Sequence, residues 1–153
     1  FAGPYIALTL MFMSTKTPKT ADTGGNTKTV VIVDDDPDTA ELCAFILRDL
    51  GNYEVVVELD STRAVEVIRS VQPDLVLTDV QMPEVDGLAL YDLLRRDEST
   101  HHIPVLFVTG AGHDPRFAER GITRTEQWVS KPFSPAELLD AVNAIASGHR
   151  QSV

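Results

Sequence analysis

The sequence holds one cysteine, Cys43, in 153 residues. A lone thiol excludes an internal disulfide framework and a multi-thiolate zinc site, and it fits a reducing compartment. Positive charge is scarce: Lys and Arg number 13 against 23 Asp and Glu, a formal charge of −10. That balance argues against nucleic acid or anionic lipid as the main partner. Aromatic residues make up only 7% of the chain. Long hydrophobic runs are missing too: the longest, Tyr5–Met13, is about half of the ~20 residues that cross a bilayer. No segment repeats at a solenoid period. What is present is an ordinary globular composition, 43% hydrophobic and 24% charged, enough for one core. The chain reads as a single acidic, cytoplasmic domain.

Residues 1–28 read apart from the rest, as a flexible leader. Phe1–Met13 is apolar without polar alternation, and Ser14–Lys28 is rich in Ser, Thr, Lys, Pro and Gly. The apolar piece has three readings: tag-derived or translated upstream sequence with the natural start at Met13, a segment that packs on a neighbour, or a secretory-signal remnant. The last is disfavoured because no basic stretch precedes it.

From Thr29 to about residue 149 a regular alternation follows. Thr29–Val33 is a continuous β-branched run, the pattern of a strand buried on both faces. Pro37 and Asp38 suit the start of a helix, whose apolar positions Leu42, Cys43, Ile46, Leu47 and Leu50 run to Gly51. Tyr53–Leu59 predicts a second strand, and Asp60 or Ser61 caps a helix carrying Ala64, Val67, Ile68 and Val71. Asp74–Asp79 is a third strand, followed by the turn-rich Gln81–Gly87 and a helix over Leu88–Arg96. Ile103–Val108 is a fourth strand, Asp114–Ile122 a short helix, and Glu126–Ser130 a fifth strand. Ser134-Pro135-Ala136-Glu137 forms a capping box for a last helix reaching Gly148. Strands alternating with helices in this way imply an α/β fold, a parallel sheet covered on both faces.

In such sheets ligands bind beyond the carboxyl ends of the strands. Strand one ends in Asp34 and Asp35, strand three in Asp79, strand four in Thr109 and strand five in Lys131-Pro132. Carboxylates about 4 Å apart repel by roughly 4 kcal/mol per pair at an effective dielectric near 20, so all stay ionised only around a cation. Hard oxygen donors suit Mg²⁺. With Lys131 in the balance, the basin has room for one phosphoryl group. Asp36 reads as a helix cap. His101, His102, His113 and His149 show no metal-ligand spacing with Cys43 and read as surface residues.

These residues, as Val-Asp34-Asp35, Thr-Asp79-Val-Gln-Met-Pro83, Val-Thr109-Gly110 and Ser-Lys131-Pro132-Phe133, resemble the response-regulator receiver domain of two-component signalling over about Thr29–Gly148. The resemblance implies a flavodoxin-like, doubly wound five-stranded sheet of order 2-1-3-4-5. It makes Asp79 the phosphoacceptor, with Mg²⁺ held by Asp35, by Asp34 through water, by Asp79 and by the Gln81 main-chain carbonyl. Lys131 pairs with Asp79 and then with the phosphoryl group, which the Thr109 hydroxyl also contacts. A cis Lys131–Pro132 bond turns the ammonium inward, and Trp128 is an aromatic switch residue that moves inward from an exposed position. The implied partners are a histidine kinase or histidine phosphotransfer protein and a downstream protein, met through strand five and the fourth and fifth helices. No nucleic acid or membrane is implied, and the state is monomer or weak dimer. The protein is not an enzyme beyond self-catalysed aspartyl phosphorylation and autodephosphorylation. A haloacid-dehalogenase-like phosphatase, with Asp34 as nucleophile and Asp36 as general acid, is the main alternative. It lacks a second acidic pair after strand four. A flavodoxin-like cofactor binder is disfavoured by the acidic first loop.

Overall fold

In the computed structural model, which describes residues 27–110, 114–122 and 127–147, the run Thr29–Val33 forms β1 and is buried on both faces from Val30 onward. The leader from 1 to 26 lies outside the described residues, as do Ala111, Gly112, His113, Glu126, Gly148 and His149. Asp36 caps α1, Pro37–Phe45, its carboxylate accepting the Asp38 N–H with Pro37 in the first turn. The chain then widens into a π-helical stretch, Ile46–Leu50, closed by Gly51 N–H donating to the Ile46 carbonyl. Ala40, Cys43, Ala44, Ile46 and Leu47 face the sheet. Leu42, Phe45 and Leu50 do not, and all three are more than half exposed. Of the apolar positions read at helical spacing, Cys43, Ile46 and Leu47 are therefore core residues, and Leu42 and Leu50 are not. Ala40, Cys43 and Ala44 occupy the inward arc of α1, and the wider turn carries Leu50 outward.

The remaining elements follow the expected alternation with trimmed ends. β2 spans Glu54–Glu58, and Asp60 caps a 3-10 turn, Ser61–Arg63, that leads into α2, Ala64–Val71. β3 spans Leu75–Asp79, and Asp86 caps α3, Gly87–Arg96, by accepting the Ala89 N–H at 2.7 Å. β4 spans Val105–Thr109, with Thr109 at its carboxyl end as expected. Asp114 caps a five-residue α4, Pro115–Glu119, shorter than the expected Asp114–Ile122, although Ile122 beyond it is still buried. β5 is Trp128–Ser130, and the Ser134 hydroxyl accepts the Glu137 N–H to open α5, Pro135–Ala146.

The five strands form one parallel sheet in the order β2-β1-β3-β4-β5. Side chains alternate across it. Val31, Val33, Val76, Val105 and Phe107 meet α2, α3 and α4 on one face, while Val30, Ile32, Leu75, Leu77, Leu106 and Val108 meet α1 and α5 on the other. This is the doubly wound flavodoxin-like architecture. The short α4 is fastened by charge and by stacked rings. Arg116 pairs with Asp86 and Asp114, both at 2.7 Å, and Arg120 grips both oxygens of Asp92 at 2.9 and 2.8 Å. Phe117 lies between Phe107, with centroids 5.1 Å apart, and Trp128, at 5.0 Å and nearly parallel.

Phe107 is fully buried and touches rings on two sides, Tyr91 and Phe117. Phe107→Ala is expected to cost about 3–5 kcal/mol in urea unfolding. Phe45→Ser, at an exposed position, should stay within about 0.5 kcal/mol of the parent.

Candidate functional site

Because the strands are parallel, their carboxyl ends open on one edge of the sheet. The register pairs Val33 with Thr78, Asp79 with Val108 and Thr109 with Ser130, so the residues at and just past these positions arrive level. Asp34, Asp35, Asp79, Thr109 and Lys131 all stand on that edge. One carboxylate oxygen from each of Asp34, Asp35 and Asp79 lies within 4.8 Å of the others. The Lys131 ammonium donates to Asp79 Oδ2 at 3.0 Å and sits 4.0 Å from Asp34 Oδ2. Lys131 is itself placed by its N–H, which donates to the Thr109 carbonyl at 2.9 Å. The Lys131–Pro132 bond is cis, as the resemblance implies.

The three acids are not equivalent. Asp35 is exposed and Asp79 half-buried, whereas Asp34 is only 4% exposed. Burial pushes the Asp34 carboxyl up to about 6. The Asp36 N–H, donating to Asp34 Oδ1 at 2.9 Å, works against that rise, and the charge of Asp79 adds to it. Burial works to lower the Lys131 pKa, but the hydrogen bond and charge of Asp79 outweigh it and hold the ammonium above its ordinary value. Burial, with Asp34 nearby, pushes the Cys43 thiol up to about 12, which removes it as a ligand or nucleophile. Asp36 acts as a cap, as expected, accepting from Asp38 N–H and from the Thr39 hydroxyl at 2.6 Å.

At separations up to 4.8 Å the like charges repel by roughly 3–4 kcal/mol per pair at an effective dielectric near 20, against one ammonium. Carboxylate oxygens without a soft donor, on an open edge, fit a hard divalent cation such as Mg²⁺. Asp35 is the exposed carboxylate of this set, and the Gln81 peptide adjoins Asp79, its N–H donating to Asp79 Oδ1 at 3.2 Å. Thr109 is buried at the end of β4.

Trp128 departs from expectation. Its ring is half-buried and stacked on Phe117, not standing exposed, because α4 supplies an aromatic partner at this point. Sequence reasoning also missed three residues. Gly87 packs so closely that a Cβ there would lie 2.1 Å from the Asp79 carbonyl oxygen, and its N–H donates to the Val80 carbonyl at 2.8 Å. Arg116 ties the loop after β3 to the start of α4. Ser61 is buried, with its hydroxyl donating to the Pro83 carbonyl at 2.8 Å. The Asp86-Gly87 pair behind a turn-rich stretch was the visible signal for the first of these.

Residues 30–143 match the family model described as the response regulator receiver domain. The chain is 35% identical over 124 residues to the polar-differentiation response regulator DivK of Brucella ovis, covering 77% of this chain and 95% of DivK. It is 33% identical over 116 residues to the DNA-binding dual master transcriptional regulator RpaA of Synechocystis, covering 76% of this chain and 48% of that protein. The chain thus spans about half the length of RpaA and of two further regulators that it matches. Among solved structures it superposes on the chemotaxis response regulator CheY4 of Vibrio cholerae with a TM-score of 0.70 and 26% identity, covering 78% of this chain and 99% of that one.

Two measurements test the local physics. Gly87→Ala must push backbone apart and should cost about 1–3 kcal/mol in thermal or urea unfolding. Folding raises the Asp34 pKa to about 6, so the folded, metal-free chain holds that proton more tightly than the unfolded one. The Asp34 contribution to stability is then present below about pH 4 and is lost as pH rises through about 6. In EDTA, Asp34→Asn should be more stable than the parent by about 1–3 kcal/mol at pH 7, with the gap closing near pH 4.

Proposed function

This chain belongs to the response-regulator receiver family, and we propose that it is the phosphoacceptor of a two-component relay, with Asp79 carrying the phosphoryl group. The observation behind this reading is the Asp34–Asp35–Asp79 cluster with Lys131 held on Asp79. Three acids and one lysine leave a basin short of positive charge beside a half-buried carboxylate. Such a place suits a cation and, once the cation is there, an incoming phosphoryl group.

The chemistry follows from the residues in place. An Asp79 oxygen attacks phosphorus in line. The bond from phosphorus to the donor histidine nitrogen breaks, and the imidazole leaves with its electron pair and takes up a proton. The Lys131 ammonium, already on Asp79 Oδ2, passes to a phosphoryl oxygen as a charge-assisted hydrogen bond. The Thr109 hydroxyl donates to a second oxygen. Asp35, Asp79, the Gln81 carbonyl and, through water, Asp34 would hold Mg²⁺, which would supply charge neutralisation for the phosphoryl oxygens. The product carries roughly −1.5 to −2 of added charge.

The donor is a histidine kinase or a histidine phosphotransfer protein, and the recipient of the signal is a second protein reading β5, α4 and α5. Trp128 and Thr109 are the switch pair in this reading. The module works by switching and turns over no separate substrate, so it is not an enzyme in the usual sense. Among the described residues no helix is long and apolar enough to cross a membrane. A cytoplasmic site of action as a monomer or weak dimer completes the proposal.

Acetyl phosphate with Mg²⁺ should add one phosphoryl mass, and peptide mapping should place it on Asp79. EDTA or Asp79→Asn should abolish the gain. Label on Asp34 would instead favour the phosphatase alternative, and no label on any residue would overturn both readings.

A further inference from the structure

The loop between Asp79 and the Asp86 cap contains a strained turn. The Val85 N–H donates to the Pro83 carbonyl two residues back at 2.8 Å, and Glu84 between them has φ +67°. A three-residue turn with a side-chain-bearing residue in the left-handed region persists only where its surroundings hold it. Ser61 reaches this turn from the other side of the loop, 22 residues earlier in the chain. Its hydroxyl donates to the Pro83 carbonyl at 2.8 Å and lies 3.4 Å from the Val85 N–H as an acceptor. The side chain is buried, so this hydroxyl is desolvated and committed to the loop.

We propose that Ser61 is a positioning residue for the cation site. By clamping Pro83 and Val85 it holds the strained turn, which fixes the Gln81 peptide against Asp79 and sets how tightly the divalent cation binds. The same loop is anchored at its far end by the Gly87 N–H on the Val80 carbonyl and near the site by the Gln81 N–H on Asp79 Oδ1. Ser61 supplies the restraint in the middle, where the backbone is least comfortable. A serine here merely starting a 3-10 turn has no reason to affect cation affinity. The inference rests on the functional reading above, in which the Gln81 carbonyl is a cation ligand.

The test titrates Mg²⁺ into the full chain, followed by backbone amide shifts, and measures hydrogen exchange at the Val85 amide in metal-free protein. Ser61→Ala should bind Mg²⁺ about tenfold more weakly, the low end of losses seen when an outer partner of a metal ligand is removed. It should also exchange the Val85 amide faster without metal. Ser61→Thr, which keeps the hydroxyl, should bind as the parent does. Glu84→Gly in the Ser61→Ala background should restore most of the affinity, because glycine adopts positive φ without a clamp. Should Ser61→Ala fail to fold, Ser61→Cys takes its place with the same expected losses, since it keeps the volume but hydrogen-bonds weakly. Unchanged affinity in these variants, with the parent binding Mg²⁺ normally, overturns the role of Ser61 alone. A loss that neither Ser61→Thr avoids nor Glu84→Gly repairs overturns it as well. A parent that binds no Mg²⁺ overturns the functional reading and this inference together.

Discussion

Three carboxylates share the carboxyl edge of the sheet with one ammonium, and that imbalance is the constraint around which the molecule is arranged. A fold optimised for stability alone would not bury Asp34 beside Asp79. The surrounding core tolerates the arrangement because the strands that deliver the acids are buried on both faces. Val30–Val33 and Leu75–Thr78 are nearly inaccessible to solvent, so the ends of β1 and β3 are fixed by packing before any charge is considered. Placement comes from the apolar interior, and reactivity from what that interior leaves exposed at its rim.

The strands and the acid cluster were legible in the sequence for the same reason. Parallel strands covered on both faces read as unbroken apolar runs, and ligand sites in such sheets lie just past their ends. That logic located Asp34, Asp35, Asp79, Thr109 and Lys131 without reference to the helices. Helix faces were harder to read. Leu42 on α1 and Leu50 in the π-helical stretch fit one helical period, yet which arc meets the sheet depends on the axis angle and on the widening after Phe45, neither of which is written in local spacing. The length of α4 was overestimated because its hold comes from Arg116, Phe117 and Arg120, three contacts made with other elements and not from an apolar stripe of its own. Ser61 and Gly87 act on backbone groups of a loop far from Ser61 in the chain, a relation that no periodicity encodes.

The chain of rings from Tyr91 through Phe107 and Phe117 to Trp128 links α3, β4, α4 and β5 on one face of the sheet. In the proposed switching, Trp128 exchanges its stack on Phe117 for space beside Thr109. α4 would then keep only Phe107 of its two aromatic neighbours, while Arg116 and Arg120, at its two ends, still hold it to Asp86 and Asp92. The displaced element would pivot about charged contacts instead of drifting free, which confines the altered surface to β5 and the adjoining side of α4.

The strand order has a further bearing, on biosynthesis. The acid cluster draws on segments ending at residues 35 and 79, but its counter-charge comes from the last strand, at Lys131. A nascent polypeptide emerging from the ribosome therefore exposes the acidic half of the pocket well before the lysine that tempers it. Until β5 has been translated and has paired with β4, Asp79 has no Lys131 ammonium beside it, so the carboxyl edge gains its charge partner last.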